Sequence, residues 1–387
     1  MPIINRMAEL HDEITAWRRE FHTMPELLYD VHKTAARVSE LLREFGCDDV
    51  VEGIGRTGVV GIVEGNGQDG PVIGLRADMD ALPIEETSGK PWSSKEKGKM
   101  HACGHDGHTA MLLGAAKYLA ESRNFSGKVA LIFQPAEEGG AGGRAMVDDG
   151  LMERFNISEV YGMHNLPGLP VGQFGGRSGA ITASTDEFNI VISGKGGHAA
   201  FPHMGNDPIV AAGQCITAIQ TIVSRNTDPL DSLVVSVTQI HAGSSHNIIP
   251  GSVRMNGTIR CFSKETREYA ARRLEEIVRG TSEAHGVEAD TEILTGYPVT
   301  INHDSQTDSS LKVAVEIAGE QNVDANMAPM LGGEDFSFML ESRPGSFIFM
   351  GNGDTPGLHN SSYDFNDEAI PHGCSYWVRL VETRLPT

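Results

Sequence analysis

Two short runs constrain this chain more than anything else in it. Residues 71–77 (PVIGLRA) and 128–133 (KVALIF) are almost continuously apolar. A strand with one face in water alternates apolar and polar residues, whereas a strand covered on both faces does not. Both runs therefore read as strands buried inside a sheet with helices packed over it. Around them, helix patterns at 4–21, 32–45, 109–120 and 143–150 interleave with further strand patterns at 57–63 and 159–163. That alternation is the signature of an α/β domain.

Near residue 184 the pattern changes. Residues 187–193 alternate polar and apolar, as a half-solvated strand does. Asp207 and Pro208 then open a helix to about 225, with Asp as its cap and Pro in its first turn. Strands at 233–241 and 252–262 follow, then a Ser263-capped helix to about 285 and a strand at 287–294. The order β-α-β-β-α-β is that of a ferredoxin-like unit. After Tyr297 the α/β pattern returns, with a helix at 305–320, a strand at 346–351 and a helix at 371–383. The expected fold is thus an α/β catalytic domain with a mixed, largely parallel sheet flanked by helices. Residues 1–183 and 294–387 supply it, and an inserted α+β domain at 184–293 interrupts it.

Composition narrows the function. A formal net charge of −21 over 387 residues excludes the basic face a nucleic-acid binder needs. No run of about eighteen apolar residues is present, so no membrane partner is expected. The opening residues read as a charged amphipathic helix rather than an apolar leader. Five scattered cysteines (Cys47, Cys103, Cys215, Cys261 and Cys374) do not form a disulfide framework, and the expected compartment is the cytoplasm.

Metal-competent side chains are concentrated in a few places. HACGHDGHTA (101–110) carries His101, Cys103, His105, Asp106 and His108 just before a helix. Thiolate and imidazole together suit zinc and similar divalent ions. Extended backbone would point Cys103 and His105 to one side. QPAEEGG (134–140) follows a buried strand, at the end where ligands gather in open α/β sheets. In extended backbone its Glu137 and Glu138 would point opposite ways, one toward a metal and one toward a water. His164 in GMHN and His359 in GLHN also follow strands, as does Asp80 in RADMDALP, where a carboxylate could orient a bound imidazole. Each of these has an ordinary structural alternative: a polar helix start, a solvated Glu pair, a core histidine, a turn aspartate.

Taken together, HACGHDGH, QPAEEGG, YGMHNLP, GKGGHAAFPH, HNIIPGSVRMNGTIR and LGGEDFS resemble the dinuclear-metal peptidase and aminoacylase superfamily. The branch they are similar to contains hippurate hydrolases, plant auxin–amino-acid conjugate hydrolases and bacterial N-acetyl-amino-acid deacetylases, and the early segment WRREFHTMPEL fits it too. The resemblance implies that Cys103, His105, Glu138, His164 and His359 ligate two divalent ions (zinc, manganese, cobalt or nickel), with Cys103 as the favoured bridge. It implies that Glu137 is the general base and that Asp80 supports the ligands from behind. It further implies that His198 stabilises the oxyanion in a partner's site, that Asn247 and Arg260 hold substrate, and that a homodimer forms through the inserted domain. The implied substrate is an N-acyl amino acid, with the acyl group left open. One departure stands out: relatives outside this branch have His-x-Asp where this chain has Asp78-Met79-Asp80, and Cys103 would take over that valence. Two rival readings are a cysteine hydrolase using Cys103 as nucleophile and a metal-bound binding protein without turnover.

Overall fold

The computed structural model describes residues 3–387. Its contacts divide the chain into two compact units, one of residues 1–181, 300–328 and 335–387, the other of 182–299 and 329–334.

The first unit is built on an eight-stranded mixed sheet. The strand order is Asp49–Ile54, Gly58–Glu64, Lys128–Gln134, Val72–Asp78, Ile157–Pro167, Gly345–Gly353, Phe174–Gly175 and Val323–Asp324. The four adjacent strands at its centre, from Lys128–Gln134 to Gly345–Gly353, run parallel. As the apolar runs require, every residue of Val72–Asp78 is buried, and so is all of Lys128–Gln134 except its first residue. The register pairs Asp78 with Gln134 and His164 with Phe349, which brings the carboxyl ends of the parallel strands to one edge. Helix His105–Ser122 packs on the central strand and against helices His11–Thr23 and Ile370–Arg384. It is buried on nearly all sides, and its apolar residues join the main core with Phe21, Phe133 and Trp377.

The second unit is a four-stranded antiparallel sheet in the order Leu233–Ala242, Ser252–Cys261, Asp186–Ser193 and Glu288–Thr295. Helices Pro208–Thr221 and Lys264–Ala284 cover one of its faces. Phe188, Ile190, Ile192, Val253, Met255 and Ile259 point toward them and form a separate core with Ala212, Cys215, Leu274 and Val278. Asp207 caps the first helix by accepting from Ile209 N at 2.9 Å, and Ser263 caps the second by accepting from Thr266 N at 3.1 Å.

Some local expectations change. The first helix is two, Asn5–Glu9 and His11–Thr23. The helix read from 109 begins at His105, because its polar first turn carries no apolar periodicity. Strand Asp49–Ile54 was not visible in the pattern, since it is a half-exposed edge strand with an irregular register. The five cysteines are all free. Among the described residues, no helix is long and apolar enough to cross a membrane.

Candidate metal centre

The carboxyl edge of the first unit's sheet gathers the donors. Cys103 lies in the turn that enters helix His105–Ser122, and His105 is that helix's first residue. The segment is not extended. Gly104 between them has φ of +94°, and this left-handed turn is what places thiol and imidazole side by side. A Cβ at Gly104 would lie 2.2 Å from Asn165 Oδ1, so glycine is required for space as well.

Glu137 and Glu138 likewise sit in a turn rather than in extended backbone, entered through Ala136 at φ +54°. A non-glycine residue in that region stores strain that its surroundings must hold. Asp80 does this: its carboxylate accepts the Glu137 N–H at 3.0 Å and the Glu138 N–H at 3.1 Å. The Asp80 carbonyl, rather than its carboxylate, takes the hydrogen bond from His105 Nδ1, at 2.8 Å, while Oδ1 stands 3.4 Å away. The carboxylate is already committed to the two glutamate amides, so the backbone does the orienting.

Two histidines are set up alike. His105 Nδ1 donates to the Asp80 carbonyl, and His164 Nδ1 donates to the Asn165 carbonyl at 2.7 Å. In each case Nε2 is left facing the cluster, the arrangement of a metal-bound imidazole. His164 Nε2 is 3.4 Å from Cys103 Sγ. His359 Nε2 is 3.3 Å from Glu138 Oε1, on a backbone at φ +61° tied by its N–H to the Ala102 carbonyl at 2.8 Å.

Two donor triads overlap. Cys103, His105 and His164 form one, and Cys103, Glu138 and His359 form another; within each triad the ligand atoms lie within 4.8 Å of one another. Cys103 belongs to both. His105 Nε2 is buried without a hydrogen-bond partner. Buried polar atoms are rarely left so, and a cation would satisfy it. Burial and the nearby Glu138, Glu137 and Asp78 carboxylates push the Cys103 thiol well above its ordinary value. Burial alone would push His105 down, but Asp78 and Asp80 outweigh it and hold it up to about 10. The donor set of one thiol, three imidazoles and a carboxylate fits divalent transition ions.

A second layer lies behind these groups. Arg76, buried in the strand, donates to Asp78 at 2.8 Å, to Gln134 at 2.8 Å and to Asp335 at 3.0 Å. Asp335 also accepts the Gly143 N–H at 2.7 Å, which gives the GGEDFS motif an anchoring function in this unit. Asp78 is therefore held by the chain, and its other oxygen is 2.6 Å from His108 Nδ1. His101 is buried, but neither it nor its ring nitrogens join any of the donor groups found among the described residues. Sequence reading missed this layer. The one available signal was an arginine inside an otherwise apolar strand, which has to find buried partners.

The remaining candidates lie in the second unit. His198 and Asn247 are exposed neighbours on a small ribbon, where strands Gly197–His198 and Ile248–Ile249 pair and Ala199 N donates to the Asn247 carbonyl at 3.0 Å. Arg260 is half-buried on strand Ser252–Cys261, where burial lowers its pKa against the pull of Glu187 and Asp186.

Thiol and imidazole donors poised at the carboxyl edge of a covered parallel sheet, with a pair of adjacent carboxylates beside them, are the equipment of a metal-dependent hydrolase. Comparison with known proteins gives the lineage. Residues 74–383 match the peptidase family M20/M25/M40, and the chain belongs to that family. It is 43% identical over 381 residues to the hippurate hydrolase of Campylobacter jejuni, across 98% of this chain and 99% of that one. It is 39% identical over 378 residues to an N-acetylcysteine deacetylase of Bacillus subtilis, across 97% and 98% of the two chains. Among solved structures, a dinuclear metal binding peptidase of the M20 family from Bacillus subtilis matches at a TM-score of 0.85 and 36% identity, over 98% of this chain and 99% of that chain. The chain is accordingly a metal-dependent amidohydrolase.

Proposed function

We propose that this enzyme hydrolyses the amide bond of N-acyl-L-amino acids at a centre of two divalent ions. Cys103, His105, Glu138, His164 and His359 would hold the ions. The observation that carries this reading is that two donor triads, Cys103–His105–His164 and Cys103–Glu138–His359, lie together and share a thiol. Such ions, when bound, lower the pKa of a coordinated water toward 7 and polarise an acyl carbonyl.

The chain's own groups supply the rest. Glu137 takes the proton of the attacking water and returns it to the leaving nitrogen, acting first as base and then as acid. Asp80 keeps the Glu137–Glu138 turn fixed while this happens. His198 donates to the developing oxyanion from a partner subunit in a homodimer formed through the 184–293 domain, and Asn247 helps hold the substrate. Arg260 offers a planar fork to the free carboxylate of the amino-acid half. The hydrolase and deacetylase names of the relatives agree with an N-acylated amino acid as substrate. Cys103 as a nucleophile is disfavoured, because that reading leaves the Glu137–Glu138 pair, His164 and His359 without a role.

The test pairs elemental analysis with a substrate panel. Purified enzyme is expected to hold two equivalents of zinc, manganese, cobalt or nickel per chain. It should cleave N-benzoyl, N-acetyl or indoleacetyl amino acids, lose activity to a chelator and regain it with added metal. Amidated substrates should be cleaved less efficiently. Undiminished turnover in the chelated protein would overturn the metal-centred reading, and equal efficiency on amidated substrates would remove Arg260 from carboxylate binding.

A further inference from the structure

The helix His105–Ser122 carries a second imidazole in its first turn, His108, that the proposed metal centre does not use. We propose that His108 is a positioning residue for the metal centre, clamping Asn165 and thereby setting the ring orientation and tautomer of His164. The inference rests on His164 being a ligand.

His108 differs from His105 and His164 in one respect: both of its nitrogens are engaged by groups outside the two Cys103 triads. Nδ1 donates to Asp78 Oδ1 at 2.6 Å. Nε2 lies 2.7 Å from the Asn165 side-chain oxygen and 3.1 Å from the Asn165 backbone N. With a proton Nε2 donates to the first, and without one it accepts from the second. In either form it grips the residue that follows His164. The carbonyl of that same Asn165 accepts the His164 Nδ1–H at 2.7 Å. Moving Asn165 therefore moves the acceptor that decides which nitrogen His164 presents.

The clamp is itself anchored. Asp78 is held by Arg76 at 2.8 Å, and the Asp78 carbonyl accepts from Thr109 Oγ1 at 2.8 Å. At the far end the Asn165 side-chain amide donates to the Tyr363 hydroxyl at 2.6 Å. Every member of the series from Arg76 to Tyr363 is buried, and the His108 and His164 rings meet edge to face with centroids 4.5 Å apart. Asp78, His105 and His108 also come within ligating distance of one another. Since Asp78 and His108 already satisfy each other there, that trio supports the centre rather than adding a cation site. Loss of a partner of this kind typically weakens metal binding by about 10–100-fold.

The experiment titrates metal-free protein with cobalt(II) against a chromophoric chelator, resolving two dissociation constants. His164→Ala and His359→Ala identify which constant belongs to which triad. His108→Ala is expected to weaken the His164 site by about 10–100-fold while leaving the His359 site nearly unchanged, and to alter the cobalt absorption bands of the His164 site alone. His108→Gln, whose amide reaches toward the place of Nε2, should restore part of the loss. Unchanged constants, equal weakening of both, or weakening of the His359 site alone would overturn the proposal. If His108→Ala does not fold, Tyr363→Phe carries the same comparison: a smaller loss confined to the His164 site supports it, and no loss overturns it. A wild-type protein that binds fewer than two ions, or a His164→Ala variant that keeps both, would instead remove the ligand assignment on which the inference stands.

Discussion

Glu137 and Glu138 are adjacent and chemically identical, yet the proposed mechanism gives them different work. The Glu138 carboxylate meets His359 at 3.3 Å and His105 at 4.0 Å. Burial pushes its pKa up, but these imidazoles and Cys103 pull it below its ordinary value, as befits a group that stays ionised beside a cation. Glu137 shares the turn, and its carboxylate also comes within 4.8 Å of His105's ligand atom. Replacing it tests its assignment with little change of shape. Glu137→Gln should keep both metals and the melting temperature while turnover falls by about 10²–10⁴, the usual contribution of general acid–base catalysis. His198→Ala should also keep its metals and lose about 10²–10³, the cost of one oxyanion donor. Steady-state kinetics beside elemental analysis separates these outcomes from loss of the centre. Near-normal turnover in either variant would strike that residue from the mechanism.

Among the elements, the turn before helix His105–Ser122 does the most to build the site. Its donor residues were legible as HACGHDGH, because histidine and cysteine at that density have few ordinary uses. The shape of the turn was not. Spacing alone suggested extended backbone through Cys103 and His105, whereas Gly104 at φ +94° folds the segment sharply. What demands the turn is Asn165, some sixty residues along the chain, whose side chain occupies the space a Cβ would need. The same limit hid the Glu pair's geometry, where two amides converge on Asp80 from a different strand end. Apolar runs report burial, so the covered central strands were readable; they do not report which distant carboxylate receives an amide. Gly104→Ala should therefore be costly. The left-handed backbone alone costs an L-residue roughly 1–2 kcal/mol, and the overlap with Asn165 adds to it. A lowered melting temperature together with reduced metal content is expected; a variant as stable and as metal-rich as wild type would show that the turn is dispensable.

Across the molecule, segments near both ends of the described chain are tied to helix His105–Ser122 by a buried charged knot. Arg18 reaches Asp364 at 3.0 Å and Asp367 at 2.7 Å, and His22 joins Asp106 at 2.8 Å to Glu86 at 3.3 Å. The WRREFH segment was read in the sequence as part of a charged helix and of a resemblance, but its knot was not, because partners more than three hundred residues away leave no local trace. The knot makes stability depend on pH in a way that can be worked out. Burial pushes His22 down, but Asp106 and Glu86 outweigh it and raise the imidazole from 6.5 to about 9. A folded-state value above the unfolded one means that protonated His22 stabilises fully below about 6.5 and that this is lost as pH rises through 9. Glu86, opposed by burial but held down to about 2 by His22 and by Ser88 and Ser94, contributes above 4.5 and loses its contribution as pH falls through 2. The net charge of −21 also disfavours the compact state more strongly as pH rises, so a melting curve of the wild type alone would mix two effects. Comparing wild type with His22→Gln cancels the general repulsion. The stability difference between them should be on the order of 3 kcal/mol near pH 6 and shrink steadily toward pH 9. A difference that stays constant across that range would mean that His22 is not held as a cation in the knot, and that the N-terminal helix is fastened by packing and by Arg18 instead.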